Sequence, residues 1–314
     1  MHALPQLKTI EAFDAWRADA SQSLPAARDI ARSHGLPHGD AHLFPTGGNL
    51  VVALDDHLVL KVFPPLPRHQ FVSERMALSQ LHGRITLPIP EIVVEGERDG
   101  WPYLVMTRLA GIIGKEAWPA LPEDRKQRVL HDIGRTIAEV QRVPTGELSA
   151  VEPRWDELMS RQIAGCRARH QRLGLAQKYL DGLDDLLSAA KTLVPMHAPP
   201  VILTGEYIPE NFLLSEENGE LIGLIDFGDA MTGWGEYDLL GPGSFMTAGI
   251  PARVQSLFRG YGYTKADITP ALTRRLMTLA LLHRFSNLNF QICIEGWQQK
   301  AHDLFELERL LWPI

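Results

Sequence analysis

Cysteine is almost missing from this chain: Cys166 and Cys293 are the only two in 314 residues. Two isolated thiols cannot build a disulfide framework or a zinc site, and both lie among apolar or helical neighbours, so both are expected to be core thiols. Long apolar runs are missing as well. No stretch approaches the roughly 18 apolar residues of a membrane span, and the N-terminal MHALPQLKTIEAFDAW lacks a basic segment followed by an apolar one. A cytoplasmic protein with no membrane partner is expected. Positive charge is in deficit: 31 Lys and Arg against 38 Asp and Glu give a net charge of −7. That balance argues against a nucleic-acid partner, whose phosphates need a basic face. The sharpest gap is local. From Thr204 to Asp238 there is no lysine or arginine, yet nine carboxylates occur.

What is present suffices for one large or two coupled globular domains, since 45% of the residues are hydrophobic. Apolar and alanine positions recur at three and four over residues 6–33, which predicts a helical region closed by Gly35 and Pro37. The period then changes. NLVVAL (49–54) and LVLKVF (58–63) read as two strands of a hairpin, a helix is expected over 69–82, and PEIVVEGE and WPYLVMTRL read as further strands. Gly111 and Gly114 punctuate the chain, and from residue 123 it reads mainly helical, interrupted by the β-like NFLL and LIGLID. This order predicts an α+β protein with a small β-rich N-terminal lobe and a larger, mainly helical C-terminal lobe.

The acidic stretch contains a hairpin signal. Asn218-Gly219 suits a two-residue turn, which would set Asn211 opposite Asp226 at adjacent strand ends. A carboxamide oxygen beside a carboxylate is a suitable hard-oxygen site for Mg²⁺. Glu206, five residues before Asn211, lies in the loop leading into that site. The carboxylates around Gly228, Gly233 and Gly235 would repel one another without cations, and a metal with a polycationic ligand would supply them. In the N-terminal part, Lys61 interrupts an apolar strand, and Glu74 shares a helix face with Phe71, Leu78 and Leu81. Charges on apolar faces need partners, so the two are expected to pair. The pair could be structural, or the glutamate could orient the lysine toward a nucleotide phosphate. Gly47 and Gly48, directly before a strand, would permit close backbone approach to phosphates, although glycines also simply make turns.

Taken together, GGN before a strand, the in-strand Lys61, the helix Glu74, a hinge after YLVM, an acid-x4-Asn loop and IDFGD resemble the protein-kinase-like fold. Within that fold, WPYLVMTRLAG and IDFGDAMTGWGEYDLL are similar to the hinge and metal-binding segments of aminoglycoside phosphotransferases, over roughly residues 40–312. The hinge, the metal segment, LLHRF and ERLLWP look most like hygromycin B kinases that phosphorylate the 7″ hydroxyl. The resemblance implies a bilobal chain: residues 1–105 as nucleotide-binding lobe, 106–111 as hinge, 112–314 as catalytic and substrate-binding lobe. It also implies ATP or GTP with Mg²⁺ as cofactors and a cationic aminoglycoside as substrate. Gly47, Gly48, Asn49, Lys61 and Glu74 would serve the nucleotide phosphates, and the backbone of Thr107 and Leu109 the adenine. Asn211 and Asp226 would bind Mg²⁺, and Asp238 would order the catalytic loop. Where the family reads His-Gly-Asp this chain reads Thr204-Gly205-Glu206, which puts Glu206 in the position of the catalytic base, one methylene longer. Glu206, Asp229, Glu236, Glu295 and Asp303 would bind substrate ammonium groups. Two alternatives remain open: a kinase of another small metabolite alcohol, and a nucleotide-binding regulator with weak transfer activity.

Overall fold

The computed structural model describes residues 4–7, 9–44, 47–65 and 68–314. Lys8, within the expected helical region, and Pro45 and Thr46, just before the paired glycines, lie outside the described residues.

Five antiparallel strands form the N-terminal sheet: β1 (His42–Leu43), β2 (Leu50–Ala53), β3 (Leu58–Val62), β4 (Ile92–Arg98) and β5 (Trp101–Thr107), in the order β1-β2-β3-β5-β4. The β2–β3 turn is set by Asp55, whose carboxylate accepts the backbone N–H groups of His57 and Leu58, both at 2.8 Å. Side chains alternate across a strand. Leu60 and Val62 of β3, with Trp101, Tyr103 and Val105 of β5, therefore face one core, and Leu104 and Met106 face another. Lys61 belongs to the second face, toward the helix His69–Leu81.

The first face is covered by helices Ile10–Ala18 and Ala20–Ser33, which replace the single helical region expected over 6–33. Asp19 divides them. Its N–H bonds back to the Trp16 carbonyl while its carboxylate caps the second helix at Ser21. Phe13 and Trp16 then stack around Trp101 at ring separations of 5.6 and 5.1 Å.

The C-terminal part is mainly helical, as expected, with Glu123–Val140, Trp155–Arg172, Leu183–Leu193, Pro251–Tyr261 and Pro270–Leu282 the longest helices. The first and fourth of these cross so closely that a Cβ on Gly134 or Gly260 would collide with the carbonyl of Leu257 or His131. Short strands frame the acidic stretch: β6 (Ile112–Ile113), β8 (Phe212–Leu214) and β9 (Leu221–Leu224) form one sheet, β7 (Val201–Leu203) and β10 (Met231–Gly233) a second.

Two expectations need correction. Ser215 and Glu220 bracket a loop longer than two residues, and the β8–β9 register shifts between Leu213 and Leu214. Asn211 consequently faces Ile225, whose N–H it accepts at 2.9 Å, and Asp226 comes one residue later. Cys166 is a buried core thiol as expected, but Cys293 is exposed. Among the described residues, no helix is long and apolar enough to cross a membrane.

Candidate active site

Lys61 and Glu74 meet as expected. The ammonium lies 2.6 Å from Oε2 of Glu74 and also 2.9 Å from Oδ1 of Asp226, a second partner brought from the far end of the acidic stretch. Lys61 and Glu74 are only 4% and 2% exposed, so neither charge can rely on water. Burial opposes the Lys61 charge, but the two carboxylates outweigh it and hold the ammonium above its ordinary range. Burial raises the Glu74 carboxyl against the pull of Lys61. Because Asp226 would still partner the lysine, Glu74→Ala should cost roughly 1–3 kcal/mol, less than loss of a sole partner. Urea midpoints check this, together with an expected weakening of nucleotide binding of about tenfold. If neither changes, the pair does not orient Lys61.

Asp226 adopts a left-handed backbone conformation, with φ of 64°. Such a conformation is uncommon outside glycine and is concentrated at functional sites. It turns the chain sharply out of β9, and the Gly228 N–H donates back to Oδ1 at 3.2 Å. Burial pushes the Asp226 carboxyl up, but Lys61 and the Gly228 N–H bring it below the usual carboxylate range. Its side chain remains 36% exposed, and among the described residues Oδ2 has no partner. Asn211 donates Nδ2 to the Glu206 carbonyl at 3.0 Å, which leaves its Oδ1 as an acceptor. One carboxylate and one carboxamide oxygen fit Mg²⁺, which commonly takes few protein ligands and completes its shell with water and phosphate. Among the described residues, no group of three or more His, Cys, Asp or Glu could hold an ion by itself.

Glu206 stands in a loop fixed from below. Both oxygens of the buried Asp238 accept loop amides, Thr204 N–H at 2.9 Å and Gly205 N–H at 3.0 Å. Gly205 has φ of +84°, and a Cβ there would lie 2.5 Å from the Asp229 carbonyl and 2.7 Å from the Arg284 guanidinium. Only glycine fits. The Glu206 carboxylate itself has no hydrogen bond or ion pair among the described residues. Burial, then the charges of Asp229 and Asp226, push it up to about 7, against Arg284 and Lys61.

Arg284, which sequence reasoning missed, organises this corner. It bonds the Asp229 carbonyl, lies 3.3 Å from the Asp229 carboxylate, and donates its own N–H to the Tyr237 hydroxyl at 3.0 Å. Its neighbour His283 stacks on Tyr237, and burial, with Arg284 nearby, pushes its imidazole down to about 3. That ring is neutral at ordinary pH. The clue in the sequence was the lone LLHRF after an apolar helix, opposite a stretch without any cation of its own.

The carboxylates expected to hold a cationic substrate are mostly occupied within the chain. Asp229 pairs with Arg284. Glu236 is 3% exposed and accepts from Arg275 and, at 2.8 Å, from the Tyr263 hydroxyl. Asp303 caps helix Leu304–Leu311 by accepting the Glu306 N–H at 2.7 Å. Glu295 is exposed on the loop before helix Trp297–Lys300. The repulsion inferred from the acidic stretch is thus relieved by Lys61, Arg275 and Arg284. In the segment expected to be the hinge, the Thr107 N–H is already given to the Glu91 carbonyl at 2.9 Å, so it is not open to a base. Among the described residues the Leu109 N–H has no acceptor. Gly47 and Gly48 are exposed in front of β2, while Asn49 is buried, with Nδ2 on Gln70 at 3.2 Å and Oδ1 unpartnered.

A β-sheet region carrying a buried Lys–Glu pair, joined to a helical region carrying Asn, Asp and a loop carboxylate, defines a kinase-like phosphotransferase fold. Residues 46–275 match the Phosphotransferase enzyme family, and the chain belongs to it. It is 28% identical, over 61% of its length and 74% of the relative's, to an aminoglycoside 3′-phosphotransferase of Streptomyces ribosidificus. It is similar in fold to a GDP complex of an aminoglycoside 2′-phosphotransferase-IIIa mutant (TM-score 0.68, 19% identity, 85% of this chain and 88% of that one). A macrolide 2′-phosphotransferase of Brachybacterium faecium is also similar (TM-score 0.60, 17% identity, 92% and 98%).

Proposed function

We propose that this protein transfers the γ-phosphoryl group of ATP or GTP, with Mg²⁺, to a hydroxyl of an antibiotic. The observation that carries the reading is the unpartnered Glu206 carboxylate. It opens on a cavity and feels the charges of Lys61 and Asp226, which supports a base for an alcohol within electrostatic reach of the proposed phosphate-binding lysine. Lys61 holds and neutralises nucleotide phosphate, Glu74 fixes Lys61, and Asp226 with Asn211 holds the metal. The metal supplies charge screening on the phosphates. Glu206 orients the acceptor hydroxyl. The acceptor's hydroxyl oxygen forms the new bond to phosphorus as the bond to the nucleoside diphosphate breaks, and the hydroxyl proton passes to Glu206. Aminoglycosides are the first acceptors to test, because of the 28% identical relative and the sequence resemblance; hygromycin B is the particular compound that the resemblance suggests. Incubation with ATP, Mg²⁺ and a panel of antibiotics should give a product heavier by one phosphoryl group. No transfer to any alcohol, with no change in nucleotide turnover on adding one, would leave a nucleotide-binding protein without this activity.

A further inference from the structure

The cavity beside Glu206 has a volume of about 160 Å³, and its lining includes the apolar Leu240, Phe245, Ala280, Phe285 and Phe290. A closed cavity of about this size holds one aromatic ring, so the enclosed part of a ligand is about one ring. At its mouth two large aromatics stand in water: Phe290 is 72% and Phe285 49% exposed. Phe290 is braced edge-on against Phe245 at 6.1 Å, and Phe285 against the Arg284 guanidinium at 5.1 Å. Exposed aromatics beside a concave wall mark a site that covers apolar surface on binding. The carboxylates that line the cavity are Glu206 and Asp238, and Asp238 is committed to the loop amides. Among the described residues of that lining, a polycationic sugar would find Glu206 as its one uncommitted carboxylate; the polar groups beside it, Ser244, Gln291, His283 and the Tyr207 and Tyr237 hydroxyls, carry no negative charge to pair with further ammonium groups.

We infer that the acceptor is an amphiphilic alcohol, with an apolar face seated on Phe245, Phe285 and Phe290, the reacting hydroxyl toward Glu206, and at most one cationic amine. This rests on the phosphotransfer proposed above and narrows its substrate. A macrolide carrying a single amino sugar has this chemistry; kanamycin and hygromycin B are polar sugars.

The test compares the three compounds in two arms on the full chain. In the transfer arm, kcat/KM with ATP and Mg²⁺ should be at least about tenfold higher for the macrolide. In the binding arm, calorimetry without nucleotide should show the macrolide binding with a negative heat-capacity change. Phe290→Ala, at a surface position, should weaken that binding about tenfold while leaving nucleotide affinity unchanged. Preferential transfer to the polar sugars overturns the inference but leaves the phosphotransfer reading intact. Transfer to none of the three, with macrolide binding that depends on Phe290 and no change in nucleotide turnover on adding any alcohol, sinks the phosphotransfer reading and supports the ligand class. Macrolide binding indifferent to Phe290→Ala overturns the inference whatever the transfer result.

Discussion

Glu206→Gln is expected to lower turnover by roughly a hundredfold or more, while fold and nucleotide affinity persist. The fold should persist because no hydrogen bond or ion pair among the described residues depends on that carboxylate. The pH profile should carry its signature. A base works deprotonated, so wild-type activity falls as pH drops through about 7, the range to which burial and Asp229 push Glu206. The glutamine variant should lose that limb. Stability should move the opposite way. The folded chain holds this proton more tightly than the unfolded one, so ionisation between the ordinary carboxyl range and about 7 costs stability as pH rises. Glu206→Gln cannot ionise and should be the more stable protein at about pH 8, measured by urea midpoint. Glu206→Asp should give intermediate activity, because the loop is shaped for the longer side chain. Near-normal turnover in Glu206→Gln would mean that positioning alone carries transfer, since Asp229 is held by Arg284 and cannot readily substitute.

Asp226→Ala should abolish measurable transfer, a loss well beyond about a hundredfold, and reduce the benefit of Mg²⁺ to nucleotide binding at least about tenfold. Lys61 keeps Glu74 as partner in this variant, so the protein should remain folded. Calorimetric titration with ADP, with and without Mg²⁺, separates the two roles of Asp226. If affinity falls equally in both conditions, the residue acts on Lys61 alone and the metal assignment is wrong.

The elements with a clear period were legible in the sequence. Alternation in LVLKVF set Lys61 on the face away from Leu60 and Val62, and helical spacing set Glu74 beside Leu78 and Leu81; the pair follows from these two facts. The strands β6, β7 and β10, of two or three residues, are too short to show alternation, and none of these three was anticipated, whereas β8 was expected from the apolar run in NFLL. The Asn211 register failed because a longer loop and an irregularity shift the ladder, and neither leaves a compositional trace. The acidic stretch misled for a further reason. Its arginine partners Arg275 and Arg284 lie on and just beyond helix Pro270–Leu282, and charge counted along the chain says nothing about charge assembled in space.

The contact between Lys61 and Asp226 joins the N-terminal sheet to the segment after β9, across 165 positions of sequence. On the proposed roles, a phosphate arriving at Lys61 would compete with Asp226 for the same ammonium, and a divalent ion arriving with it would offer Asp226 a new partner. Loading the site would then be an exchange of counter-ions, in which no buried charge need be left bare at any stage. Nucleotide and metal entering together fit this swap better than either alone, because each releases the group that the other requires.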